Sequence, residues 1–313
     1  MQYQEFLEKC LYMLKEQLGE GYNIQLNSIL KNNSITLDGV VILKNDAKIT
    51  PNIYLEEYFA QYEQGVEMET IISCIIGVYH DKVMERGDFE IQFTFEKMKE
   101  NIIFRIINLE KNKELLCHCP HLEFLDFAIT FHCLVQDQID SIGTIRITDE
   151  HLNAWNITTT QLYECAKKNT PRLLPPLLRN MEEVLREILQ QEELSLDVNQ
   201  IHMELNRFDE ESRIPDRRNR DMYILSNTKG INGASCMLYP DVIQNFSRLL
   251  KCDIYILPSS IHEIILLPAV EEYEKTQLEE MVTEINQTQV PYEEILSNHV
   301  YFYSNLENQI HLL

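Results

Sequence analysis

The chain has 313 residues, 44% of them hydrophobic, with 50 acidic against 27 basic side chains and a formal charge of -23. That length makes one large domain or two ordinary ones, at roughly 100 to 200 residues each, and the apolar content is ample for a core. A field this negative repels phosphates over most of the surface, which argues against nucleic acid and anionic lipid as partners; the most cationic stretch, residues 213–220 (RIPDRRNR), reads as a linker with solvated arginines.

The first segment, MQYQEFLEKCLYMLKEQLG, sets Phe6, Leu7, Cys10, Leu11, Leu14 and Leu18 at three-and-four spacing. It predicts an amphipathic helix, and Glu5, Glu8 and Lys9 interrupt the apolar core that a secretory signal needs. YNIQLNSILKNNSITLDGVVIL predicts two strands around a turn at residues 31–34. IYLEEYFAQYEQG predicts a helix stopped by Gly65, and METIISCIIGVYHDKV an antiparallel helical neighbour packed with it on the hairpin. FEKMKENIIFRIINLEKNKELL reads as a further helix or pair of helices.

Residues 122–135 and the alternating GTIRIT at 143–148 predict neighbouring strands. DEHLNAWNITTTQLYECAKKNT predicts two short helices, the second opened by a capping box of Thr158 with Gln161, and Pro171, Pro175 and Pro176 close that unit. MEEVLREILQQEEL is a helix by pattern, followed by a charged run of weak periodicity at 191–221. Beyond it come a strand (MYILS), a glycine-containing loop (TKGINGAS), a helix (DVIQNFSRLL), the apolar run CDIYILPSSIHEIILLP, a charged helix and a terminal hairpin. The longest membrane-like stretch, FLDFAITFHCLV, is too short to span a bilayer and contains Asp126 and His132. Eight scattered cysteines, mostly in apolar segments, point to free thiols and a soluble cytoplasmic protein.

The resulting fold class is α+β: helices with small antiparallel sheets, then a C-terminal α/β unit. The organisation is an N-terminal α+β region over 1–190, a charged linker or excursion over 191–221, and the α/β unit over 222–313, with one continuous domain as the alternative.

The strings HLNAWNITTTQLYECAKKNTPRLLPP, MYILSNTKGINGASCMLYPDVI and DIYILPSSIHEIILLP resemble the hallmark segments of a bacterial family, domain of unknown function 5688. NIYLEEYFAQYEQG and PHLEFLDFAI are also similar to it, so the resemblance covers nearly the whole chain. It implies a single-module bacterial protein and brings no reaction, substrate or catalytic residues. Cys117 and Cys119 stand where the family's PH element is ordinarily preceded by unremarkable residues, which argues against a shared role for CHC.

Three places carry candidate chemistry. In PSSIHE, a nucleophilic Ser260 with His262 as base is weighed against a hydrogen-bonded serine turn between buried strands, and the turn takes precedence: Glu263 faces away from Ser260 and His262 on a strand, and no nucleophile elbow is present. In TKGINGASCM, Cys236 is the other candidate nucleophile for His262. Asn232, Gly233 and Ser235, with Ser259 and Ser260, are the candidate ligand contacts, against a structural turn and a buried, inert thiol. In CHCPH, the residues Cys117, His118, Cys119 and His121 lack the knuckle spacing of a zinc site, so no metal is expected. The leading expectation is a binding or interaction protein without catalysis and without a cofactor, with a protein or small-molecule partner, a second copy of the chain among them. The runner-up is a cofactor-free hydrolase or transferase using Cys236 or Ser260 with His262.

Overall fold

A computed structural model describes residues 1–44, 52–84, 93–137, 142–193, 222–258, 260–270 and 273–313. The chain forms two compact units, Met1–Phe93 and Thr94–Leu313.

In the first unit, helix α1 (Tyr3–Leu18) is followed by strands β1 (Tyr22–Leu30), β2 (Thr36–Lys44) and β3 (Asn52–Tyr54), then helices α2 (Glu56–Glu63) and α3 (Met68–Met84). The strands form one antiparallel sheet in the order β1-β2-β3. Asn33 and Ser34 make the hairpin turn with left-handed φ of 56° and 59°; asparagine tolerates this region better than most residues. Phe6, Leu7, Cys10 and Leu14 of α1 share a core with Ile24, Val40, Ile42 and Ile53 of the sheet and with Ile71, Ile72, Ile75 and Tyr79 of α3. The periodicity of α1 is thus spent on one buried stripe. Glu56 fixes the start of α2 by accepting from the Asp38 backbone N–H (2.6 Å) and the Tyr3 hydroxyl (3.3 Å).

The second unit opens with a single helical turn, α4 (Phe95–Met98), and then β4 (Ile102–Asn108), another helical turn, α5 (Lys113–Leu116), β5 (His121–Phe124), β6 (Phe127–Asp137) and β7 (Ile142–Arg146). Strand β4 corrects the helical expectation for IIFRIIN. Every residue but Arg105 is buried, so both faces of the strand are covered, and a continuous apolar run does not distinguish a buried strand from a helix. Central β6 pairs antiparallel with β4 on one side and with β5 and β7 on the other.

Helices α6 (Asp149–Trp155) and α7 (Thr159–Leu173) follow, and the Thr158–Gln161 capping box is formed: the Gln161 N–H donates to Thr158 Oγ1 (3.3 Å) and the Thr158 N–H to Gln161 Oε1 (2.9 Å). Pro171 does not end α7 but lies inside it. Strand β8 (Pro176–Asn180) and helix α8 (Met181–Glu193) lead to the 194–221 stretch, which lies outside the described residues together with the arginine run at 213–220.

The last segment supplies β9 (Tyr223–Asn227), a 3-10 turn (Gly233–Leu238), α9 (Val242–Leu250), β10 (Ile254–Leu257), β11 (Ile264–Pro268), α10 (Lys275–Thr288), β12 (Tyr301–Ser304) and β13 (Gln309–Leu312). With β8 these strands form one antiparallel sheet, β13-β12-β10-β11-β9-β8. The division by packing falls at residue 93/94, whereas composition placed boundaries at 190/191 and 221/222. The physical reason is β8: its ladder with β9, Pro176↔Asn227 to Asn180↔Tyr223, joins the segments before and after the charged run into one sheet.

Alternation along the strands sends Ile102, Phe104, Ile106, Phe127, Ile129 and Phe131 of the first sheet, and Ile254, Ile256, Ile264 and Leu266 of the second, into a common core with Leu162 and Ala166 of α7. Tyr255, Leu257 and Leu267, one step out of phase, pack with Leu278 and Val282 of α10.

Candidate functional site

The loop after β9 and the turn between β10 and β11 come together, and Gly233 is where they touch. A Cβ there would stand 2.1 Å from Ser226 Oγ, 2.5 Å from the His262 carbonyl oxygen and 2.7 Å from the Asn227 nitrogen. Two of those atoms are backbone, so only a residue without a side chain fits. Asn232, just before it, adopts a left-handed φ of 54°. The Ala234 N–H donates to the Ile261 carbonyl (3.2 Å) and the Ser226 hydroxyl to the His262 carbonyl (2.8 Å), stitching the two segments at backbone level.

His262 has both ring nitrogens in use. Nδ1 accepts from the Asn232 backbone N–H (3.2 Å), which fixes the proton of the neutral ring on Nε2, and Nε2 faces the Glu294 carboxylate at 3.4 Å. The Ser260 hydroxyl accepts from the His262 backbone N–H (3.0 Å), the local bond of a serine turn. Ser259 lies outside the described residues. Ser235 is buried and accepts from the Ile106 N–H of β4 (3.3 Å), linking the loop to the first sheet. The Cys236 thiol is fully buried and donates to the Ser226 carbonyl (3.1 Å), and burial pushes it up to about 12. A thiol so placed holds its proton near neutrality and is a poor nucleophile. Among the described residues no hydrogen bond joins the His262 ring to Cys236 or Ser260, so the base–nucleophile contact that covalent catalysis needs is not made here.

The CHCPH segment follows α5 without converging. Cys117 and His118 are exposed, Cys119 is buried with its thiol raised by desolvation, and the His121 Nδ1 donates to the Cys119 carbonyl at 2.9 Å. Among the described residues no group of three or more histidine, cysteine or acidic side chains is arranged to hold a metal ion.

Sequence reasoning missed a second polar centre, built on Asp126 at the tight turn between β5 and β6. One carboxylate oxygen, Oδ2, accepts from the Ser297 hydroxyl (2.9 Å) and faces His299 Nδ1 (3.1 Å); the other accepts from the Tyr301 hydroxyl. Burial, followed by the bond to Asp126, raises the Tyr301 phenol well above its ordinary value, so it remains a donor. Serine, histidine and aspartate are all present, yet the serine and the histidine both bind the acid. A hydrolytic triad runs in series, from hydroxyl to imidazole to carboxylate. The parallel arrangement is a clamp between the β5–β6 turn and the segment before β12. Its members lie 171 to 175 residues apart, beyond the reach of any local pattern.

A family model described as "Family of unknown function (DUF5688)" matches residues 3–305. No curated protein and no solved structure matches the chain.

Proposed function

The chain belongs to the DUF5688 family, and from that premise, which carries no reaction with it, we propose a binding or interaction protein of the bacterial cytoplasm without a catalytic step of its own. The observation that carries this reading is the full commitment of the His262 ring. One nitrogen holds the Asn232 amide and the other faces Glu294, while both candidate nucleophiles spend their polar atoms on backbone groups. Eight cysteines standing as free thiols support a reducing compartment. The charge of -23 favours a protein or small-molecule partner over nucleic acid or an anionic membrane, and a second copy of the chain is one such protein.

A test independent of any substrate is chemical labelling of the folded protein near neutral pH, read by peptide mass spectrometry. Iodoacetamide is expected to modify the exposed Cys74 and Cys117 while leaving Cys236 untouched, and a fluorophosphonate to modify no serine. Stoichiometric labelling of Cys236 or Ser260 in the native state overturns the reading in favour of a hydrolase or transferase.

A further inference from the structure

Arg105 is the one charged residue in IIFRIIN, and the register of the first sheet decides what surrounds it. Ile102, Phe104 and Ile106 enter the core, so Arg105 lies on the other face. There it pairs with Thr130, while His132 pairs with Arg146 and Leu134 with Thr144. Side chains directly opposite share a face, and so do residues two apart along a strand. Arg105, Thr130, His132, Thr144 and Arg146 therefore project from one face of the sheet.

The contacts bear this out. Arg105 Nη2 donates to Thr144 Oγ1 (3.0 Å), and His132 Nε2 lies 3.3 Å from Thr130 Oγ1. The Arg105 Nε–H is shut off from solvent and has no acceptor among the described residues. Neither arginine forms an ion pair with a carboxylate among them. Burial and then the Arg146 charge push Arg105 down to about 10, and burial with both arginines holds His132 well below the ordinary imidazole value. Two cations thus flank a neutral histidine; by register Glu123, opposite Ala128, shares this face, yet it is exposed and forms no ion pair with either arginine among the described residues. Buried guanidinium groups are ordinarily paired, because an isolated charge loses its hydration without replacement.

We propose that Arg105 and Arg146, with the Thr144 hydroxyl, form a binding site for a small oxyanion, a phosphate or carboxylate group carried on a small molecule. Planar guanidinium donors match the oxygens of either group. The strongly negative charge of the whole chain restricts the occupant to a small anion, since a polyanion meets repulsion over the rest of the surface. The assignment deepens the binding reading and rests on it for the site's purpose only: native labelling of Cys236 or Ser260 overturns that reading and leaves the anion site standing.

The test is an NMR titration of the full-length wild-type protein with 15N-labelled arginine, following the side-chain Nε–H signal of Arg105. Inorganic phosphate and acetate are added separately at constant ionic strength, with chloride as the reference. A saturable shift with at least one oxyanion and none with chloride is expected. Tighter phosphate assigns the site to a phosphoryl group, tighter acetate to a carboxylate. Arg146→Gln is expected to weaken the affinity at least tenfold, and the exposed Arg172→Gln to leave it unchanged. Absence of a saturable shift with either oxyanion, an equal response to chloride, or undiminished affinity in a folded Arg146→Gln protein overturns the assignment. Should that variant not fold, the wild-type titration decides by itself.

Discussion

The loops around His262 and the face of the first sheet that carries Arg105 are both polar clusters in the second unit, and they differ in one respect. Around His262 the polar groups find partners from the chain itself: Ser226 with the His262 carbonyl, Ser260 with the His262 amide, the imidazole with Asn232 and Glu294, Cys236 with the Ser226 carbonyl. On the sheet face the Arg105 guanidinium has its Nε shut off from solvent and unpartnered, and no carboxylate among the described residues forms an ion pair with it. Reactive residue types drew attention to the first cluster, whereas the state of their bonds draws it to the second. Satisfied polar groups rigidify a fold; an unsatisfied one calls for an explanation, and the anion site proposed for Arg105 is one.

The sharpest way to break this comparison is at Gly233. Gly233→Ala forces a methyl group against the His262 carbonyl and the Asn227 amide, neither of which moves without opening the loop. The expected loss is about 3 kcal/mol, at the upper end for overpacking, read as a drop in the urea midpoint with an unchanged slope. A loss under about 1 kcal/mol shows that the two segments separate easily, and the His262 bonds then no longer count as structural.

The Asp126 clamp supplies a second, milder perturbation within the satisfied class. Asp126→Ala leaves the Ser297 and Tyr301 hydroxyls without their charged acceptor and His299 without its partner. Hydrogen bonds to a charged group contribute about 2 kcal/mol in such settings, so thermal unfolding is expected several degrees lower. Tyr301→Phe, which keeps the ring and removes one of the three donors, is expected to cost less than Asp126→Ala. The reverse order contradicts an acid-centred clamp.

How much of this was legible beforehand follows from the range over which each signal acts. The serine turn at 258–263 and the glycine loop at 230–233 interrupt apolar runs, and that contrast is local, so both were readable. The β1–β2 hairpin and the Thr158 capping box were readable for the same reason. IIFRIIN was not, because a strand covered on both faces gives no alternation. Asp126 was noted only as a polar interruption in an apolar stretch; its partners at 297–301 are set by tertiary packing. The unit boundary was hidden because β8 forms its ladder with a strand on the far side of a long charged run, and composition does not record strand pairing.

The smallest expected effect has the opposite sign, and it separates the two clusters most cleanly. Arg105→Met keeps length and apolar volume while removing the unpaired charge. In a satisfied cluster such a deletion destabilises, because a partner is left behind. Here the group left behind is the partly exposed Thr144 hydroxyl, so the variant is expected to equal the wild type or exceed it by about 1 kcal/mol, as replacing buried charges by apolar side chains often does. Comparing chemical denaturation in chloride and in phosphate then adds the ligand to the cycle. An oxyanion held by Arg105 stabilises the native wild type by mass action and does nothing for Arg105→Met. The two proteins are therefore expected to exchange rank as phosphate is raised at constant ionic strength. A variant destabilised by 2 kcal/mol or more in chloride identifies Arg105 as a paired structural charge, and the contrast between the two clusters then disappears.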